Sequence, residues 1–198
     1  NAFIIGSCIN SFLSCVVQLC GSVKKPIFAK GEKRAEGLCK YGIANLFGGI
    51  CMNLIIREAG IKDLPDILAL YKQPDMDNGE VLPIEQAETI FKKMEAYPDY
   101  KIYIAISGGE VVGTFALAIM DNLAHMGTPS GLIEDVVVKT EWQGKGIGKQ
   151  MMKYAMEYCK KYGCYKVVLS SNLKREKAHC FYESLGFKKH GYSFLIEL

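Results

Sequence analysis

Between positions 133 and 149 an apolar run, Ile133-Glu-Asp-Val-Val-Val138, gives way to Lys139-Thr-Glu-Trp142 and then to Gln143-Gly-Lys-Gly-Ile-Gly-Lys149. A strand that feeds a glycine loop and opens directly into a helix makes an anion site. Glycines at 144, 146 and 148 let main-chain N–H groups converge without side-chain obstruction, and the helix start adds a partial positive charge. Several charge-assisted N–H bonds at about 1.5–3 kcal/mol each outweigh a dipole contribution of about 0.3–1 kcal/mol. The main chain, rather than Lys145, should therefore dominate binding. Two other phosphate loops fail by position. A nucleotide-triphosphate loop needs glycine five places before Gly148 and Ser or Thr after Lys149, where Gln143 and Gln150 stand. A dinucleotide fingerprint starting at Gly144 needs glycine at 149, which is Lys.

The helix after the loop is specified by Ile147, Met151, Tyr154, Ala155, Tyr158, Cys159 and Tyr162, which share one apolar face and read as core. Around it the elements alternate. A first strand spans 53–58, Asp63 caps a helix that tolerates Pro65 early, and a second helix spans Pro83 to Ala96. Strands at 101–107 and 110–121 flank a Gly108-Gly109 turn, and a loop with His125, Gly127 and Pro129 precedes the strand at 132–138. A strand at 166–171, a helix at 176–185 and a final strand at 192–197 complete the series. The expected class is mixed α/β.

Charge separates two regions. Six basic residues against Glu32 and Glu36 place +4 on the first 51 positions and leave −1 on the rest, for a total of +3. A near-neutral body has no electrostatic footprint for nucleic acid. The first 23 residues carry no charge, yet Asn10, Ser11, Ser14 and Gln18 interrupt the apolar run and no basic residue precedes it, so a membrane segment or leader is not expected. We read residues 1–51 as an appendage without catalytic duty and 52–198 as the working domain, with Met52 as its start. Eight cysteines include no C-x-x-C pair. They are expected to be reduced thiols in the cytoplasm, with no metal site.

The chain resembles the GNAT superfamily of N-acetyltransferases. Gln143-x-x-Gly146-x-Gly148 matches its acyl-CoA diphosphate loop, and Phe181-Tyr-Glu-Ser-Leu-Gly-Phe187 matches its late helix. The resemblance covers residues 53 to 198. It implies a mixed, mostly antiparallel sheet flanked by helices and splayed at the strand 132–138. The pantetheine arm of acetyl-CoA, the co-substrate, would pair with the backbone of Val136, Val137 and Val138. Gln143, Gly144, Lys145, Gly146, Ile147, Gly148 and Lys149 would hold the diphosphate. Many members place Asn three residues before the alanine of the late helix. Here Arg175 stands at that distance from Ala178, with Asn172 six residues away, and Arg175 is assigned to meet a phosphate of cofactor or substrate. Ile133-Glu-Asp-Val136 and Gly163-Cys-Tyr-Lys-Val167 look like glucosamine-6-phosphate N-acetyltransferases, which points to an aminosugar phosphate acceptor.

An alkylamine with a pKa of about 10.4 is roughly 99.9% protonated at pH 7, so baring its lone pair costs about 4–5 kcal/mol without a base. Glu134 and Asp135 are neighbours on a strand and are expected to point to opposite faces, leaving one toward the cleft. Glu134 is the assigned base, because the same superfamily position often serves so, directly or through water. Tyr182, in the matched late helix, would donate to the departing thiolate. Transfer is expected to be direct, through a ternary complex. The other readings are a protein N-terminus, a polyamine or an amino acid as acceptor, or a sensor that binds acyl-CoA without chemistry. Loops 71–82 and 121–131 are expected to shape the acceptor site. A homodimer is the accompanying expectation.

Overall fold

The computed structural model describes residues 40–41, 53–74, 76 and 79–196, all within the compact unit Gly37–Leu198. The expected appendage, residues 1–51, lies outside the described residues except for Lys40 and Tyr41. Met52 also lies outside them.

The element order is β1 (Lys40–Tyr41), β2 (Leu54–Glu58), α1 (Leu64–Tyr71), α2 (Ile84–Glu95), β3 (Tyr100–Ser107), β4 (Glu110–Met120), β5 (Ser130–Val138), α3 (Ile147–Lys161), β6 (Lys166–Leu169) and α4 (Glu176–Ser184). The six strands form one sheet in chain order. Every neighbouring pair is antiparallel except β5 with β6. The mixed, mostly antiparallel expectation is met. Gly108 and Gly109, with φ of 59° and 85°, form the β3–β4 hairpin turn, in which both central residues need the left-handed region.

Two cores lie on opposite faces of the sheet. Tyr103, Phe115, Leu117 and Ile133 turn toward α3, where Ile147, Met151, Met152, Ala155 and Cys159 meet them. Ile104 turns the other way, toward Ile67 of α1, while Ala87 and Phe91 of α2 close on Leu64. The amphipathic face read along 147–162 is the buried one. Tyr154 and Tyr158 tilt over Tyr103 with ring centroids 5.4 and 5.8 Å away. The helix end leaves Tyr162 exposed.

Two local expectations change. Asp63 occupies the residue before α1 but makes no capping bond there. Its carboxylate accepts from both Arg57 terminal nitrogens, at 2.7 and 2.8 Å, and from the Gly60 N–H at 2.7 Å, so it ties β2 to the turn at Gly60 instead. The expected final strand is not formed over 192–196. Tyr192, Phe194, Leu195 and Ile196 are exposed, because the apolar alternation meets no neighbouring strand. Glu197 lies outside the described residues.

Candidate active site

The site is built on a place where two strands part. β5 and β6 pair from Ser130 opposite Lys166 to Ile133 opposite Leu169. β5 then continues to Val138 without β6 beside it. In that gap lies a cavity of about 400 Å³. Ile133, Glu134, Asp135 and Val136 form one wall, and Leu169, Ser170 and Ser171 face them. Ala178 and Tyr182 reach in from α4, Arg175 from the residue just before it, and Met76 from the segment after α1. Positions 178 and 182 are one helical turn apart, which is why one side of α4 delivers both.

A bulge decides which acids face the cavity. Ala116 pairs with Glu134 but Thr114 pairs with Val137, so Asp135 and Val136 together oppose Phe115. Asp135 takes φ of 52°, a left-handed conformation for a non-glycine residue. Ile133 and Val136 both pack into the core beneath α3. Glu134 and Asp135, between them, therefore share the opposite face. The expectation that strand alternation sends the two acids to opposite faces is overturned: both are exposed and both line the cavity. Their charge is felt on the α1 side of the sheet. Burial raises the phenol pKa of Tyr71 and Tyr100, and the negative charge of Asp135 raises both further.

Tyr182 is half-buried, its ring 5.2 Å from that of Phe181 and 5.9 Å from that of Phe187. Burial raises its pKa, and the nearby Arg175 charge pulls it partly back. At neutral pH the phenol keeps its proton and can donate it. Arg175 is the residue preceding α4, its carbonyl accepting from the N–H groups of Ala178 and His179 at 3.0 and 3.1 Å. Asn172 is spent on the same turn: its side-chain oxygen accepts from Lys174 N–H, and its carbonyl lies 2.9 Å from His179 Nε2.

The glycine loop adjoins the end of β5, and its three glycines do different work. Gly144 and Gly146 have φ of 73° and 83°, and a Cβ on either would meet nothing within 4 Å. Gly148 is a close-packing position, where a Cβ would come within 3.2 Å of the Phe181 ring. Gly146 directly precedes α3, so the N–H groups of Ile147, Gly148 and Lys149 open the helix without intrahelical partners. Ile147 buries its side chain and offers main chain alone. Lys145 Nζ sits 4.8 Å above the Trp142 ring. Gln143 folds back so that its Nε2 donates to Val138 O at 3.1 Å. Val136 lines the cavity, Val137 is buried, and Lys149 is exposed.

An unobstructed cradle at 144 and 146, a helix start and an unpaired β5 edge beside them fit a long ligand that carries a diphosphate. Of the loops expected to shape the acceptor site, 71–82 supplies Met76 to the cavity and 121–131 supplies none of its lining. His125 stacks on Tyr165 at 4.3 Å instead. Ser170, Ser171 and Met76 escaped the sequence reading, since a serine pair after a strand and a methionine in a loop carry no distinguishing pattern.

Comparison with known proteins gives the class. A model described as "Acetyltransferase (GNAT) family" matches residues 64–187, and the chain belongs to that family. It is similar to the glucosamine 6-phosphate N-acetyltransferase of Trypanosoma brucei brucei, 37% identical over 98 residues, 50% of this chain and 65% of that protein. It is also similar to the aminoalkylphosphonate N-acetyltransferase of Salmonella typhimurium, 34% identical over 97 residues, 49% of this chain and 62% of the relative. The chain thus spans just under two thirds of the length of both. Among solved structures, a putative acetyltransferase from Agrobacterium tumefaciens superposes with a TM-score of 0.68 at 33% identity, covering 72% of this chain and 99% of that one.

Proposed function

We propose that the chain transfers acetyl from acetyl-CoA to the primary amine of a small molecule that also carries a phosphorus oxyanion, with glucosamine 6-phosphate as the leading acceptor. One observation carries the reading: a cavity at the parting of β5 and β6 has two carboxylates on one wall and a protonated phenol beside a guanidinium on the other. The relatives add the acceptor class, since both named substrates join an amine to a phosphate or phosphonate.

Acetyl-CoA supplies an activated thioester. The N–H groups at 146–149 hold its diphosphate, and the β5 edge at 136–138, whose Val138 carbonyl already accepts from Gln143, lays the pantetheine arm toward the cavity. Glu134 takes the ammonium proton, directly or through water, and relieves the cost of about 4–5 kcal/mol for baring the lone pair. Asp135 on the same face strengthens the hold on the cation. As the new C–N bond forms and the C–S bond breaks, Tyr182 gives its proton to the departing sulfur, within a ternary complex, and the phenolate takes up the second proton that the amide nitrogen sheds. Arg175 provides a fork for a phosphate oxygen.

A thiol-release assay with glucosamine 6-phosphate, an aminoalkylphosphonate, a polyamine and an N-terminal peptide tests this. Turnover restricted to the first two is expected; turnover restricted to the peptide or the polyamine would refute the acceptor class. Acetyl-CoA binding with no release on any amine would favour a sensor. No helix among the described residues is long and apolar enough to cross a membrane; a cytoplasmic homodimer is part of the proposal.

A further inference from the structure

One polar side chain joins two segments that meet at the cavity from different parts of the chain. After α1 the backbone turns through Gln73, Met76 and Gly79, held by Gln73 N–H to Leu70 O at 3.3 Å, Met76 N–H to Gln73 O at 2.9 Å and Gly79 N–H to Met76 O at 2.9 Å. This turn brings Met76 to the cavity wall. The Gln73 side chain reaches to the far end of β5. Its Oε1 accepts from Thr140 Oγ1 at 2.5 Å. Its Nε2 donates to Leu70 O at 3.1 Å and lies 3.5 Å from Val138 O. That Val138 carbonyl is the one that accepts from Gln143 Nε2, and the Gln143 main-chain N–H donates to Thr140 O at 3.2 Å.

An amide has its donor and acceptor in one rigid plane, so the Thr140 hydroxyl and the Leu70 carbonyl are held in register through Gln73. Thr140 and Gln143 are locked together by their own turn. These bonds form a continuous chain of contacts from the glycine loop through Thr140 and Gln73 to the Met76 turn. We propose that Gln73 is a positioning residue that couples the glycine loop to the Met76 turn, so that holding a coenzyme at 143–149 steadies Met76 and Gly79 beside the cavity. This rests on the acyl-CoA reading above.

The test is residue-resolved amide hydrogen exchange on the full chain, with and without coenzyme A. In the wild type, coenzyme A is expected to slow exchange about tenfold or more at Ile147 to Lys149 and also at Met76 and Gly79. Gln73→Ala should keep the first effect and shrink the second below about twofold. Thr140→Val removes the same bond from its other end and should behave alike, while Thr140→Ser, which keeps the hydroxyl, should restore the coupling. If either disruptive variant fails to fold, the other reads the same contact. No slowing at 147–149 in the wild type would overturn the acyl-CoA reading and the coupling with it. Slowing at 147–149 without any at Met76 and Gly79, or slowing there that survives in Gln73→Ala, would overturn the coupling alone.

Discussion

Replacing Gly146 separates the work of the loop's main chain from that of its lysine. A Cβ at 146 meets no atom within 4 Å, so space at that atom does not limit Gly146→Val. The cost comes first from φ of 83°. An L-residue pays about 1–2 kcal/mol there, and a β-branched one more. The loop relieves that strain by rotating to ordinary φ, which turns the following N–H groups away from their common focus. Losing two charge-assisted bonds of about 1.5–3 kcal/mol each weakens acetyl-CoA by roughly 3–6 kcal/mol, or about 10²–10⁴-fold in Kd. Lys145→Ala is different. That ammonium is exposed and rests over Trp142, so its contribution is about 1 kcal/mol or less, at most about fivefold. Isothermal titration of both variants with acetyl-CoA measures the contrast, with thermal denaturation as the folding control. Comparable losses of affinity in the two variants, or near-wild-type affinity in Gly146→Val, would refute the reasoning.

Tyr182→Phe keeps the ring contacts with Phe181 and Phe187 and removes the proton, so kcat should fall at least about tenfold while acetyl-CoA affinity moves less than about twofold; steady-state kinetics beside titration decide it, and an unchanged kcat would remove Tyr182 from the chemistry. Arg57, and then the Gly60 N–H, hold the Asp63 carboxyl below its usual pKa. Because the folded value lies under the unfolded one of about 3.9, the stabilisation is present above that pH and fades as pH falls through the folded value. Arg57 is 41% exposed, so we take about 1 kcal/mol: Asp63→Asn should lower Tm by about 2–4 °C at pH 7, with the gap closing as the pH is lowered through the depressed folded value. Gly131 marks where β5 meets α3, since a Cβ there would fall 2.4 Å from Cys159 Sγ. Gly131→Ala should cost about 1–3 kcal/mol in a denaturant melt, and a second change, Cys159→Ala, should recover part of it.

The parts legible in the sequence were those fixed by local pattern. The Gly108-Gly109 hairpin, the apolar face from Ile147 to Cys159 and the break at Gly146 each follow from a period or a backbone requirement carried by consecutive residues. What escaped depends on partners distant in the chain. The bulge exists because Phe115 faces two residues of β5, and no feature of Glu134-Asp135-Val136 alone announces it. The alternation of Tyr192, Phe194 and Ile196 reads as a strand, but a strand also needs a neighbour. Gly148 resembles its loop companions in sequence, but it lies within α3 and is packed by Phe181, thirty-three positions later. Gln73 was silent because a glutamine at a helix end is ordinary until Thr140 arrives beside it.

The extra residue at Asp135 does more than bring two acids together; it shifts the phase of everything downstream. Counted from Ile133 without interruption, Val137 would have turned toward α3. Instead Val136 and Val138 do so, and a methyl of Val138 lies 3.6 Å from the point where a Cβ on Gly148 would stand. Excising one residue would therefore unseat the start of a helix as well as an acid, so the spacing from Glu134 to Gly148 is a dimension that insertion or deletion cannot change piecemeal.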